Sequence, residues 1–150
     1  MKISRKDDFL KYWRVIRFYV KRKYKINTEE LDVLLFLYSE EYFNKDKFQE
    51  FNTILPWNKN RFAKLLRDGW IHVVKPYRRG GPKALYGLSH KATRMVRSVY
   101  DKLNGELMPT SKMRNPLFLA RASYSDKVYR NMIIQMNEAI KQEQCHSLEL

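Results

Sequence analysis

The chain has 150 residues, 30 Lys and Arg against 16 Asp and Glu, a formal net charge of +14, 44% hydrophobic residues and 14% aromatic residues. That length suits one domain with a core of its own, and the apolar content excludes wholesale disorder. A single cysteine, Cys145, excludes a disulfide framework or a cysteine-rich metal site within one chain.

The charge is segregated along the chain. Residues 1–26 carry ten bases and two acids, residues 27–52 two bases and seven acids, and residues 53–100 eleven bases and one acid, Asp68. Clustering on particular elements points to an anionic partner, nucleic acid before an anionic membrane.

In chain order, Asp7 or Asp8 caps a first helix running to about Lys25. Phe9, Trp13, Ile16, Val20 and Tyr24 form its apolar stripe, with Lys11, Arg14, Lys21 and Lys25 on another face. A packed helix with a solvated basic face fits better than a helix lying on a membrane. Asn27 and Glu30 form a capping box for a second, buried helix that ends near Tyr42. Asn44 caps a short third helix, Lys45–Phe51, with Phe48 and Phe51 inward. After Thr53–Leu55, Pro56 suits the first position of a fourth helix, or the turn before it, and that helix reaches about Asp68, with Phe62, Leu65 and Leu66 inward, Lys59, Asn60, Arg61, Lys64 and Arg67 mainly outward, and Gly69 as its C-terminal cap.

Trp70–Lys75 then predicts a strand, Tyr77–Ala84 a hairpin tip, and Leu85–Leu88 a returning strand. Ser89 caps a fifth helix to Asn104 with Ala92, Val96, Val99 and Leu103 inward. Residues 106–116 read as a loop and Leu117–Ala122 as a short helical segment. Ser123 or Ser125 begins a last helix to about Gln144, with the stripe Tyr124, Val128, Met132, Met136 and Ile140 and a frayed tail from Cys145.

A basic helix followed by a basic hairpin is the layout of a winged helix-turn-helix. The expected fold is mainly α with a small β-hairpin wing, a DNA-binding core of about 27–104, and dimerisation elements at about 7–25 and 117–144. In such a fold the helix enters the major groove, and Arg and Asn side chains read base edges. Asn60, Arg61 and Lys64 are the candidate base readers, and Asn58, Lys59 and Arg67 the candidate phosphate contacts. Arg78, Arg79 and Lys83 flank Gly80-Gly81 at the hairpin tip, where Arg suits a narrow minor groove. Solvated surface positions are the plain alternative for each. Trp57 and Tyr77 are the aromatics that no core stripe explains and so the ones to watch for base stacking.

The element order resembles the MarR family of winged-helix transcription regulators over about residues 9–143. Asn27–Tyr38 resembles that family's buried helix before the DNA-binding motif. Leu65-Leu66-Arg67-Asp68-Gly69-Trp70-Ile71 resembles its junction from recognition helix to strand. Leu88-Ser89-His90-Lys91-Ala92 resembles its Leu-Thr-x-x-Gly start of the helix after the wing, with Ala92 in place of glycine. The wing departs: Arg78-Arg79-Gly80-Gly81-Pro82-Lys83 stands where the family often has an Asp and Arg pair. The resemblance implies a dimer joined by first and last helices and two half-sites roughly 34–36 Å apart; the stripes Phe9–Tyr24 and Tyr124–Ile140 could supply the seam, packing of the same stripes within one chain being the alternative. No residue supports carrying over the family's small-molecule effectors.

His72, His90 and His146 form no metal motif, and there is no phosphate-binding P-loop or Gly-x-Ser-x-Gly elbow. The expectation is a non-enzymatic protein with no cofactor and no metal. It is a dimeric, sequence-specific double-stranded DNA binder and transcription regulator, cytoplasmic and nucleoid-associated, in a bacterial or virus-infected cell. Met1–Lys11 lacks an apolar signal-peptide core and no apolar run spans a bilayer. The alternatives are a nucleic-acid architectural or replication accessory protein without strong sequence preference, and a basic module that meets an acidic protein.

Overall fold

The computed structural model describes residues 9–52, 54 and 59–148, the side chains of Phe9, Phe51, Asn52 and Lys59 excepted. Asp7, Asp8, Thr53, Leu55, Pro56, Trp57 and Asn58, to which the sequence assigns caps, connections and contacts, lie outside the described residues. Six α-helices are described: α1 (Phe9–Tyr24), α2 (Thr28–Tyr38), α3 (Lys45–Asn52), α4 (Lys59–Arg67), α5 (His90–Leu103) and α6 (Tyr124–Leu148). Two strands, β1 (Ile71–Lys75) and β2 (Leu85–Leu88), pair antiparallel. The molecule is therefore mainly helical with one small hairpin. Among the described residues no helix is long and apolar enough to cross a membrane. The chain divides into two compact units, residues 27–97 and residues 1–26 with 98–150.

In the unit of residues 27–97, helix starts follow the capping residues closely. The Asn27 Oδ1 accepts the Glu30 backbone N–H at 2.8 Å, and the Asn27 N–H donates to Glu30 Oε2 at 3.4 Å. Asn44 accepts from Lys47 N–H at 2.9 Å, and the Ser89 hydroxyl accepts from Ala92 N–H at 3.2 Å. Each satisfies a donor that the first helical turn leaves without a partner.

The second helix ends four residues before the sequence suggests. Phe43 leaves it to exchange two backbone hydrogen bonds with Tyr86, at 3.0 and 2.7 Å, which adds an isolated bridge beside β2. That pairing is a long-range backbone contact with no local signature, so the helical pattern of residues 39–42 overstates the helix. Phe36, expected inside, is exposed. The core holds Leu31, Leu34, Leu37, Leu65, Trp70, Ile71 and Met95. A chain of rings joins its parts. Phe48 of α3 meets Phe62 of α4 edge-on at 4.8 Å, and Phe62 meets Tyr86 of β2 edge-on at 4.9 Å. Such pairs add about 0.5–1.5 kcal/mol each beyond the area they bury.

In the unit of residues 1–26 and 98–150, α1 and α6 pack on each other and on a single 3-10 turn, Pro116–Phe118. This turn replaces the longer helical segment expected at Leu117–Ala122. Asn115 sets it: its side chain accepts Leu117 N–H at 3.0 Å and donates to the Pro109 carbonyl at 2.8 Å. Arg130 completes it by donating to the Leu117 carbonyl at 2.9 and 2.7 Å and to the Leu119 carbonyl at 3.0 Å. Phe18 and Tyr129 stack with ring centres 3.9 Å apart.

Both outer stripes are displaced from the sequence reading. On α1, Val15 and Tyr19 are buried together with Ile16 and Val20. On α6, Tyr124 is 84% exposed and Val128 is exposed, while Ile133, Met136, Asn137 and Ile140 are buried. Asn137 replaces an apolar residue in that stripe because its amide pairs with both backbone groups of Met108, at 2.8 and 3.0 Å. The helix also runs to Leu148 rather than Gln144, with no glycine or proline anywhere along it. Lys102, outside the predicted stripe of the fifth helix, is buried too, and burial holds its ammonium below the usual lysine range. Its Nζ donates to the Ser98 hydroxyl at 2.7 Å. Tyr19, nearby, is pushed up to about 12 by burial and the Glu106 charge.

Three helices end in the same way. The Ile26, Trp70 and Glu106 N–H groups each reach back five residues, to Lys21, Leu65 and Asp101, the closure named after Schellman. The residue before each has positive φ: Gly69 at 79°, Gly105 at 107°, and Lys25 at 55°. Only glycine is unstrained there, and an L-residue costs roughly 1–2 kcal/mol in that region. Lys25→Gly is therefore expected to stabilise the protein by about 0.5–1 kcal/mol, raising Tm by roughly 2–4 °C, with no gain from Lys25→Ala. Thermal melts followed by circular dichroism measure both.

Arg22 and Asp126 join α1 to the start of α6 through two bonds, Nε to Oδ1 at 3.0 Å and NH2 to Oδ2 at 2.6 Å. Asp126 also accepts from Ser123 N–H at 3.1 Å while Ser123 Oγ accepts from Asp126 N–H at 3.2 Å. Burial alone would raise the carboxyl, but the Arg22 hydrogen bonds, the Ser123 groups and the Arg22 charge together hold it below the usual aspartate range. A depressed folded-state pKa gives stability that is present above the unfolded value, near 3.9, and lost as pH falls through the folded value. The Tm of the wild type should drop more steeply below about pH 4 than that of Asp126→Asn. Asp126→Ala should cost about 2 kcal/mol at pH 7, since both a helix cap and a charged hydrogen bond go.

Candidate nucleic-acid interface

Helix α4 follows from its sequence: Phe62 and Leu65 are buried, Leu66 is half-buried, and Gly69 closes the end. The residues assigned to its outer face divide into two groups. Asn60 is exposed, and the Arg67 side chain is 75% exposed, with Asp68 at 3.9 Å.

Arg61 and Lys64, read from the sequence as outward base readers, turn toward α2. The Arg61 side chain is 21% exposed and paired with Glu29, and Lys64 Nζ donates to Glu30 Oε1 at 2.7 Å. The reason is that α2 offers two carboxylates in its first turn, and Glu30 is itself buried. Lys59 starts α4.

The hairpin presents Arg78 and Arg79 to solvent. Its tip is a tight turn in which Gly81 N–H donates to the Arg78 carbonyl at 2.8 Å, and Gly80 sits at φ 77°, as a type II turn needs at its third residue. Gly81 has ordinary φ, but a side chain there would meet the Arg78 carbonyl at 3.2 Å. Thus one glycine supplies the angle and the other the room. Lys83 pairs with Asp46 of α3, both more than half exposed. Such a surface pair is worth little and is easily exchanged for another anion.

The strands are in register with Ile71 opposite Leu88 and Val73 opposite Tyr86. A bulge between Val73 and Lys75 puts Lys75 opposite Leu85. Gly87 allows close packing there, since a side chain would meet Val74 at 3.2 Å.

The sequence reading missed several cations. Lys91 lies with its Nζ 4.0 Å from the Trp70 ring centre and donates to the Asp68 carbonyl at 3.3 Å. Lys75, Arg94 and Arg97 are exposed. Their density in an acid-poor stretch was the available signal. From Arg67 to Arg97 the exposed bases are Arg67, Lys75, Arg78, Arg79, Lys83, Lys91, Arg94 and Arg97, and the one acid is Asp68. Exposed cations at this density attract polyanions by field as well as by contact. Among the described residues no group of His, Cys, Asp and Glu is placed to hold a metal ion.

Compared with protein-family models, with curated proteins and with solved structures, the chain matches none.

Proposed function

We propose that this protein binds double-stranded DNA through a winged helix-turn-helix made by residues 27–97, and acts as a homodimeric transcription regulator. The observation that carries the reading is the run of eight exposed bases between Arg67 and Arg97 against one acid. The order of α3, α4, β1, hairpin and β2 suits a recognition helix followed by a wing. In this reading α4 lies in the major groove with Asn60 as the base reader, Arg67 meets phosphate, and Arg78 and Arg79 follow the minor groove beside it. A dimer seam would use the outward apolar side chains Leu10, Tyr124 and Val128, since Ile16, Val20, Met136 and Ile140 are already buried.

The ion pairs of Arg61 and Lys64 favour a second reading, an architectural binder without strong sequence preference. With both cations held by Glu29 and Glu30, base discrimination falls on few side chains, while phosphate attraction from the remaining bases persists.

Selection of bound duplexes from a random pool, followed by anisotropy titrations across salt, separates the readings. A palindromic motif supports the regulator, and binding without a motif supports the architectural protein. No duplex binding at low salt overturns both. Arg67→Ala should weaken binding evenly across sequences and lower the slope of log K against log salt by about 0.9. Asn60→Ala should cost about 1–3 kcal/mol on the selected sequence and much less on others. Glu29→Gln, which removes the carboxylate competing for Arg61, should tighten binding severalfold.

A further inference from the structure

Two hollows open on the flank of the hairpin and meet at Lys83. The larger, about 620 Å³, has three cations in its wall, Lys75, Arg78 and Lys83, together with Pro76, Pro82 and Asn44. The smaller, about 230 Å³, is lined by Tyr77, Tyr86, Lys45, Lys83 and Ala84. Tyr77 is 65% exposed, whereas Tyr86 is buried in the ring contacts of the core. The fold leaves the Tyr77 ring in solvent, next to a groove bearing three positive charges.

This is a combination of two chemistries in adjoining compartments. Cations on flexible stems suit phosphate, and an exposed ring suits the face of a base. The rails of a paired duplex offer phosphates but keep base faces stacked inside, so a duplex can use the first compartment and not the second. An unpaired nucleotide offers both. Lys83 is held meanwhile by its surface pair with Asp46, which an incoming phosphate can replace.

We propose that the flank of the hairpin binds unpaired nucleotides of a DNA strand, one base on Tyr77 in the smaller hollow and the adjoining phosphates on Lys75, Arg78 and Lys83 in the larger. The inference rests on the DNA-binding reading above and adds a strand end or gap as the structure recognised. It makes the hairpin a sensor of where a duplex stops, beside α4, which takes paired DNA.

Anisotropy titrations of the full chain test this with three probes: a blunt duplex, the same duplex carrying a three-thymine overhang on its 3′ or 5′ end, and free thymidine monophosphate as competitor. The overhang duplex is expected to bind about tenfold more tightly than the blunt one, from stacking of a base. Tyr77→Ala should remove that advantage and leave blunt-duplex affinity unchanged, and Tyr77→Phe should keep it. Lys75→Ala should reduce the advantage severalfold. Equal affinity for blunt and overhang duplexes overturns the hairpin site while leaving the duplex reading intact. Binding of the overhang probe without any blunt-duplex binding overturns the duplex reading and leaves the hairpin site. Loss of both affinities together in Tyr77→Ala, with Tyr77→Phe no better, assigns Tyr77 to folding and ends the proposal. Displacement of the overhang by the free nucleotide at equal concentration ends it too, because the site is then one for a mononucleotide.

Discussion

The carboxylate of Glu30 holds the unit of residues 27–97 in register. It closes the capping box at the start of α2 through Asn27 and takes the Lys64 ammonium from α4 at 2.7 Å. It is buried, and a buried charge without a counter-charge is costly. With Lys64 beside it and a backbone N–H on its other oxygen, the charge is accommodated, and the same contact ties α4, whose buried face is Phe62 and Leu65, to α2. Which cations of α4 are engaged therefore depends on acids two elements earlier in the chain.

The segregation of charge along the sequence serves this arrangement as well as any partner. The acids of residues 27–52 are not simply a solvated patch. Glu29 and Glu30 meet Arg61 and Lys64, and Asp46 meets Lys83. Each pair takes one cation from the basic stretch. What remains outward is the set at the end of α4, on the hairpin and along the first turns of α5. Positive potential is concentrated there by subtraction: the acidic helices neutralise the bases nearest to them and leave the far ones to act.

Local chemistry made much of the fold legible. Asn27, Asn44 and Ser89 cap helices and Gly69 ends one as their side chains, or lack of one, dictate. Strand β1 follows from Ile71, Val73 and Val74, and the glycine turn returns the chain to β2. The parts that were not legible are those set by distant partners. Phe43 pairs with Tyr86 across more than forty residues of chain, so nothing near Phe43 announces the end of α2. Asn137 and Asp126 are buried because of Met108 and Arg22, and a stripe drawn from apolar residues alone steps over them. The candidate site was visible as a density of cations. Which of those cations were already engaged was not, because Arg61 and Lys64 have the same spacing whether they face solvent or α2.

Strand β1 forms the outer edge of the two-stranded sheet, with Val73 and Val74 exposed on it. An open apolar edge invites another chain to add a strand. The formal net charge of +14 opposes such edge-to-edge pairing by repulsion, which salt or an anionic neighbour weakens. The extra residue at Val74 interrupts the ladder midway along a five-residue strand, so a neighbour finds too short a run of backbone groups to zip against. This obstacle to edge pairing lies in the backbone and persists when electrostatics no longer help.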